Sequence, residues 1–277
     1  MGIETDIREM IAQAVAAVRN RKPLTGSITN AITINFVANA QLAAGGSAAM
    51  VFLPEEAEFL ANAGDSFYIN IGGILPVYAD TLPHAAKTLH DAGKPWVLDP
   101  VAIGIGSLRT RLLLEFKKWM PGVIRGNASE IIALAGLWGL EGDGESHVRG
   151  VDSVDPVDAA RAAAVALARW TGGAAAVSGE TDLITDGGLV AISRGGSHFM
   201  EKITGAGCSL GGVAAVYAAA AKPFIAALAA TAQYNLAGRR AGEKADGPGS
   251  FQVHFLDELY RASAEDIADN PIEIEEA

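Results

Sequence analysis

A single cysteine, Cys208, stands among 277 residues, so no intrachain disulfide can form and the chain suits a reducing, cytoplasmic setting. Basic residues are the second shortage. The 21 lysines and arginines against 32 aspartates and glutamates leave a net charge of −11, with no basic stripe to form a nucleic-acid surface. The same acidity disfavours free anions, so a site for an anionic ligand here needs local positive charge. Long apolar runs are missing too: Gly211 to Ala221 stops well short of the ~20 residues of a membrane span. Residues 1 to 20 carry Glu4, Asp6, Arg8 and Glu9, unlike a signal peptide, so neither a leader nor a membrane partner is expected. The five histidines lack metal-ligand spacing. No G-x-x-x-x-G-K-[ST] string occurs and no G-x-G-x-x-G follows a first strand, which disfavours P-loop enzymes and simple dinucleotide dehydrogenases.

What is present is a hydrophobic half of the composition, enough to bury roughly three quarters of the unfolded surface in one domain, residues 1–277. Ile3, Ile7, Met10, Ile11, Ala14, Val15 and Val18 recur at helical spacing, predicting an amphipathic helix that ends before Pro23. Apolar runs at Ser66 to Ile71, Pro95 to Leu98, Gly122 to Ile124 and Ala174 to Val177 read as buried strands. Helical segments lie near 30–44, 54–63, 76–92, 107–119, 127–136 and 156–171. That alternation predicts an α/β fold, a three-layer, doubly wound and mostly parallel sheet with helices on both faces. Asp186-Gly187-Gly188 separates Asp182 to Thr185 from Leu189 to Ser193, the pattern of a hairpin. Residues 141–155 are polar and glycine-rich and read as a surface loop. The acidic tail Asp269 to Ala277 reads as frayed, and Met50 as the start of a strand.

Chemistry concentrates at the expected strand ends. In ITGAGCSLGG, from Ile203, a Gly-Ala-Gly turn opens a small-residue helix whose first amides are unpaired. Those amides and the helix dipole can cradle a phosphoryl group, or the turn can simply admit tight packing. Asp99 closes a strand and points where Mg²⁺-ATP would sit in an open parallel sheet, or caps a turn. Arg125 at the next strand end suits a phosphate. Asn127 and Glu130 fit a capping box, so cap and metal compete for Glu130. Ser178 offers a hydroxyl at a further strand end, and Asn30 reads as a helix cap.

Taken in order, ITN with NFVAN (28–39), VLDPVAIGIGSLRT from 97, IRGNASEI from 124, GVDS from 150, SGETDLITDG from 178, ITGAGC from 203 and GPGSF from 247 span almost the whole chain. This set resembles the hydroxyethylthiazole kinase family of the ribokinase-like superfamily. The resemblance implies ATP- and Mg²⁺-dependent phosphorylation of 4-methyl-5-(2-hydroxyethyl)thiazole in thiamine salvage. It further implies that Arg125 and Ser178 contact ATP, that Met50 and Gly205 contact the alcohol, and that Asp99 and Glu130 surround Mg²⁺, partly through water. Cys208 stands where related kinases carry Asp, as a positioned but poor base beside the 205–208 amides. A homotrimer with substrate sites at subunit interfaces is also implied. Departures from the family pattern fall at Gly45 to Met50, where a proline is missing, and at Gly73; Ser178 replaces a common Thr. They keep open a kinase for another small alcohol such as hydroxymethylpyrimidine. A nucleotide-binding sensor or an ATP-dependent dehydratase is the reading from other classes; Asp99, Arg125, Glu130 and the whole 204–208 turn speak against a sensor without turnover.

Overall fold

The computed structural model describes residues 2–140 and 156–277; the interval 141–155, read above as a loop, lies outside the described residues. The apolar stripe at the start forms α1 (Ile3–Arg21), which buries Ile7, Ile11, Ala14, Val15 and Val18 and leaves Ile3 and Met10 outside. Then follow β1 (Leu24–Ile28), α2 (Ile34–Ala43), β2 (Ser47–Met50), α3 (Pro54–Ala63), β3 (Ser66–Asn70), α4 (Tyr78–Asp91), β4 (Trp96–Asp99), α5 (Ser107–Phe116), β5 (Val123–Asn127) and α6 (Ala128–Leu137). From residue 156 come α7 (Pro156–Thr171), β6 (Ala174–Ser178), β7 (Asp182–Thr185), β8 (Leu189–Ser193), a 3₁₀ turn (His198–Lys202), α8 (Ala206–Ala218), α9 (Pro223–Gly242), α10 (Pro248–Arg261), α11 (Ala264–Ala268) and β9 (Ile272–Glu276).

The described strands make one nine-stranded sheet in the order β2-β1-β3-β4-β5-β6-β7-β8-β9. Pairs from β2 through β6 are parallel and the remaining three antiparallel. Helices α1, α2 and α8–α11 cover one face and α3–α7 the other, which gives the three layers and explains why β3 is buried along its whole length. All five helices α2–α6 start from the C-terminal ends of the parallel strands, so loops and helix N-termini gather on one rim. The strand order reverses at β1, from which the chain steps outward to β2 and then back across to β3. At such a switch point neighbouring loops diverge and open a crevice.

Two expectations are corrected. Met50 ends β2 instead of beginning a strand, because Ser47–Met50 pairs in register with Leu24–Ser27. The acidic tail is not frayed: Ile272–Glu276 pairs antiparallel with β8, burying Ile272 against the core while its glutamates face outward. The alternation of Ile and Glu fits a one-sided edge strand, and the free edge of β8 supplies its hydrogen-bond partners.

Candidate functional site

Register sets the first part of the site. Parallel pairing places Asn70 beside Asp99 and Asn127 beside Ser178, so the ends of β3, β4, β5 and β6 stand in a row. Arg125 does not stand at a strand end as expected, because pairing with β6 carries β5 on to Asn127 and leaves Arg125 at mid-strand. Almost fully buried there, it reaches along that row: its Nη1 donates to Asp99 Oδ2 at 3.4 Å, while Nε and Nη2 donate to Ser178 Oγ at 3.2 and 2.9 Å. Burial disfavours the guanidinium charge, yet Asp99, Tyr68, Glu130 and Cys208 outweigh it and raise the Arg125 pKa. Arg125, Ser178, Ala206 and Gly207 line a cavity of about 660 Å³, closed on its far side by Asp182, Asn235 and the Gly195–Glu201 segment.

The glycine turn forms the second part. Gly205 caps α8 with φ +89°, a conformation that favours glycine, and a Cβ there would meet Thr33 Cγ2 at 2.8 Å. A Cβ on Gly207 would lie 2.8 Å from both terminal nitrogens of Arg125. The first amides of α8 therefore begin directly beside the guanidinium, where amides and charge act on one anion. Cys208 follows on the same turn, with Asn30 Nδ2 at 3.6 Å from its sulfur. Burial pushes the thiol pKa up, Asp99 pushes it further, and Thr33, Asn70 and Arg125 offset this only in part. At neutral pH Cys208 is a thiol, which agrees with a poor base.

Asp99 is fully buried and its pKa is pushed up to about 6, by burial first and by Glu130 as well, against Arg125 and Tyr68. Its Oδ2 accepts from Tyr68 Oη at 2.8 Å and Asn70 Nδ2 at 3.1 Å, whereas buried Oδ1 has no hydrogen-bond partner. Glu130 is the cap partner foreseen for Asn127: Oε2 accepts from Asn127 N at 2.9 Å, and Oε1 from Ala102 N at 3.3 Å. No group of three or more His, Cys, Asp or Glu side chains converges among the described residues. Two carboxylates, one with an uncommitted oxygen, fit a cation that takes most of its ligands from phosphate and water, as Mg²⁺ does.

Met50 lies apart from this row, beside Ser27 at the end of β2, half-buried against the core that also receives Cys208. The helix cap expected at Asn30 is corrected: α2 begins at Ile34 with Thr33 as its N-cap, and Asn30 Oδ1 accepts from the amides of Ile32 and Thr33 at 3.1 Å each in the turn before the helix. Its other end donates to Asn70 Oδ1 at 3.3 Å across the switch point. Tyr68 and Asn70 are site residues that sequence reasoning missed. Tyr68 sits in an apolar run and carries no signal of its own; a buried Asn at a strand end was the one clue to Asn70.

A model of the hydroxyethylthiazole kinase family matches residues 15–265 of the chain. A hydroxyethylthiazole kinase of Bifidobacterium longum (strain DJO10A) is 51% identical over 97% of this chain and 92% of its own. The solved hydroxyethylthiazole kinase of Pyrococcus horikoshii OT3 is 31% identical, with a TM-score of 0.86 over 97% of this chain and 99% of that one. A Staphylococcus aureus pyridoxal kinase solved with ADP is similar in fold, at 14% identity and a TM-score of 0.60 over 92% of this chain and 99% of that one.

Proposed function

Because the chain belongs to the hydroxyethylthiazole kinase family, a ribokinase-like kinase that phosphorylates the hydroxyl of 4-methyl-5-(2-hydroxyethyl)thiazole in thiamine salvage, we propose how its rim performs that transfer. ATP lies in the 660 Å³ cavity, its terminal phosphates held by Arg125, Ser178 and the 205–208 amides. The alcohol sits on the other side of the α8 turn, between Gly205, Cys208, Asn30 and Met50. The observation that carries this reading is Arg125, whose donors reach Asp99 and Ser178 together beside Gly207.

Phosphoryl transfer through a loose transition state asks chiefly for alignment and charge stabilisation. Arg125 and the first amides of α8 hold the transferring group in place and meet its charge with donors that need no reorganisation. Gly205 lets the backbone come close to the reacting oxygen. Cys208, a thiol hydrogen-bonded by Asn30, orients the hydroxyl, whose proton passes late to an oxygen of the transferred phosphoryl group. Asp99, through its free Oδ1, and Glu130 would hold Mg²⁺, which when bound would offset phosphate charge.

The chain acts as a single kinase domain, residues 1–277, which the unbroken sheet from β2 to β9 supports. It assembles as a homotrimer with the alcohol site at subunit boundaries. Support comes from β2, an edge strand of half-buried Ser47–Met50, with exposed Ile32, Leu42, Leu53 and Phe59 on neighbouring segments. No helix among the described residues is long and apolar enough to cross a membrane; a cytoplasmic location fits the lone thiol. The decisive assay is ATP consumption by the purified protein with hydroxyethylthiazole and Mg²⁺, the phosphorylated alcohol being identified by mass. Absence of product overturns the reading, and light scattering in solution tests the trimer.

A further inference from the structure

Two rim loops leave the sheet side by side, one after β3 at Ile71, next to the switch point, and one after β4 at Pro100. A single side chain from the first turn of α5 holds both. Arg109 donates from Nε to Ile71 O at 3.0 Å and from Nη2 to Gly72 O at 2.8 Å, while Nη1 donates to Ile105 O. Only 8% of Arg109 is exposed. Burial lowers its pKa, and among the described residues its hydrogen-bond partners are backbone carbonyls, with no carboxylate to offset the cost. An apolar side chain of similar length would fill the same space without that desolvation cost, so stability by itself gives little reason for a guanidinium here. Geometry gives a better one, since a planar fork can fix several carbonyls at once.

On its opposite side the same turn is pinned by the asparagine pair. Gly72 N donates to Asn70 Oδ1 at 2.9 Å, and a Cβ on Gly73 would lie 2.9 Å from Asn30 Cβ. Asn30 in turn reaches the Cys208 sulfur. The second loop carries Ala102 at φ +59°, strained for a residue with a Cβ, and the Ala102 amide meets Glu130. Arg109 is thus the shared support of the wall behind Asn30 and of the loop that orients Glu130, although it touches neither.

We propose that Arg109 is a positioning residue for acceptor recognition: by clamping the carbonyls of Ile71 and Gly72 it holds the Gly72-Gly73 turn against Asn30 and so sets the shape of the alcohol pocket beside Cys208. The proposal rests on the kinase reading given above. It predicts a split, because the Ile71 and Gly72 carbonyls lie on the alcohol side and no part of the clamp lines the nucleotide cavity; loosening of the Ala102 loop beside Glu130 would show in the Mg²⁺ dependence and not in the KM for ATP at saturating Mg²⁺.

The test uses Arg109→Met and Arg109→Lys in the full chain, after the wild type has been assayed with hydroxyethylthiazole and Mg²⁺-ATP. Arg109→Met should raise the KM for the alcohol by about tenfold or more and leave that for ATP within about twofold, with Arg109→Lys between the two. Amides of Gly72 and Ala102 should exchange with deuterium about tenfold faster, while Ser209 N, bonded to Gly205 O, keeps its protection. Unchanged KM values in folded Arg109→Met, or alcohol and ATP values rising together, overturn the proposal. If Arg109→Met fails to fold, Arg109→Lys is judged by the same split. A wild type inactive on this alcohol sinks the kinase reading instead, and exchange at Gly72 and Ala102 still decides whether the clamp exists.

Discussion

Arg125, midway along β5, meets Asp99 at the end of adjacent β4, Nη1 to Oδ2 at 3.4 Å, with the carboxylate fully buried and the guanidinium nearly so. A buried pair of this kind adds little to stability while intact, but removal of one partner strands the other charge. Arg125 also lines the cavity proposed for ATP, so the two roles can be told apart by experiment.

Loss of the guanidinium should therefore separate two effects. Arg125→Met is expected to raise the KM for ATP by tenfold or more, and to cost roughly 3–5 kcal/mol of stability by leaving Asp99 unpaired. Adding Asp99→Asn to that variant should return much of the stability in urea denaturation and none of the activity. Equal recovery of both would deny Arg125 a role in binding.

Asp99 predicts an unusual pH slope. Its carboxyl loses the proton near pH 4 when unfolded and at about 6 when folded. Between those values the folded form holds the extra proton, so this group's contribution to stability declines as pH rises from about 4 to about 6, by at most roughly 3 kcal/mol. Asp91 and Asp266, whose pKa values are lowered, contribute with the opposite sign. Denaturation of wild type and Asp99→Asn across that range, without divalent metal, should yield a difference that varies with pH. A flat difference would show that Asp99 titrates normally.

Cys208, with its raised pKa, should be alkylated by iodoacetamide at neutral pH about tenfold more slowly than a free small thiol, and faster as the pH is raised. Cys208→Ala should retain measurable turnover, losing less than the ~10²–10⁴-fold expected of a dedicated general base. A folded but inactive Cys208→Ala protein would make the thiol indispensable.

Gly205 and Gly207 should fail differently. Gly205→Ala strains a left-handed backbone by roughly 1–2 kcal/mol and pushes on Thr33, so melting temperature and alcohol affinity should both fall. Gly207→Ala meets the Arg125 guanidinium instead, and its main effect should appear in the KM for ATP. Identical kinetic profiles for the two variants would contradict the division of the rim.

Much of the fold was legible because its local signals agree. Asp186-Gly187-Gly188 predicts the β7–β8 hairpin, and the structure supplies the cause: Gly187 has φ +90° and Asp186 Oδ1 accepts from the amides of Gly188 and Leu189 at 2.8 Å each. Helices α3 and α7 keep their expected bounds, each opened by proline at a first helical position. β1, β2 and β9 were missed or misplaced because LTGSI, SAAM and IEIEE carry weak strand propensity alone; they are strands because a neighbour offers a free edge.

Residue types and their order along the chain determined the α/β class, the strand-end position of Asp99 and Ser178, and the glycine turn at 204–208. Tertiary structure alone decided that Arg125 bridges Asp99 and Ser178, that both oxygens of Glu130 accept backbone amides, and that Tyr68, Asn70 and Arg109 belong to the site's support. The reason is physical: strand ends follow from local periodicity, whereas a hydrogen bond between β1 and β3, or between a helix and two loops, depends on sheet order and register, which no short segment encodes.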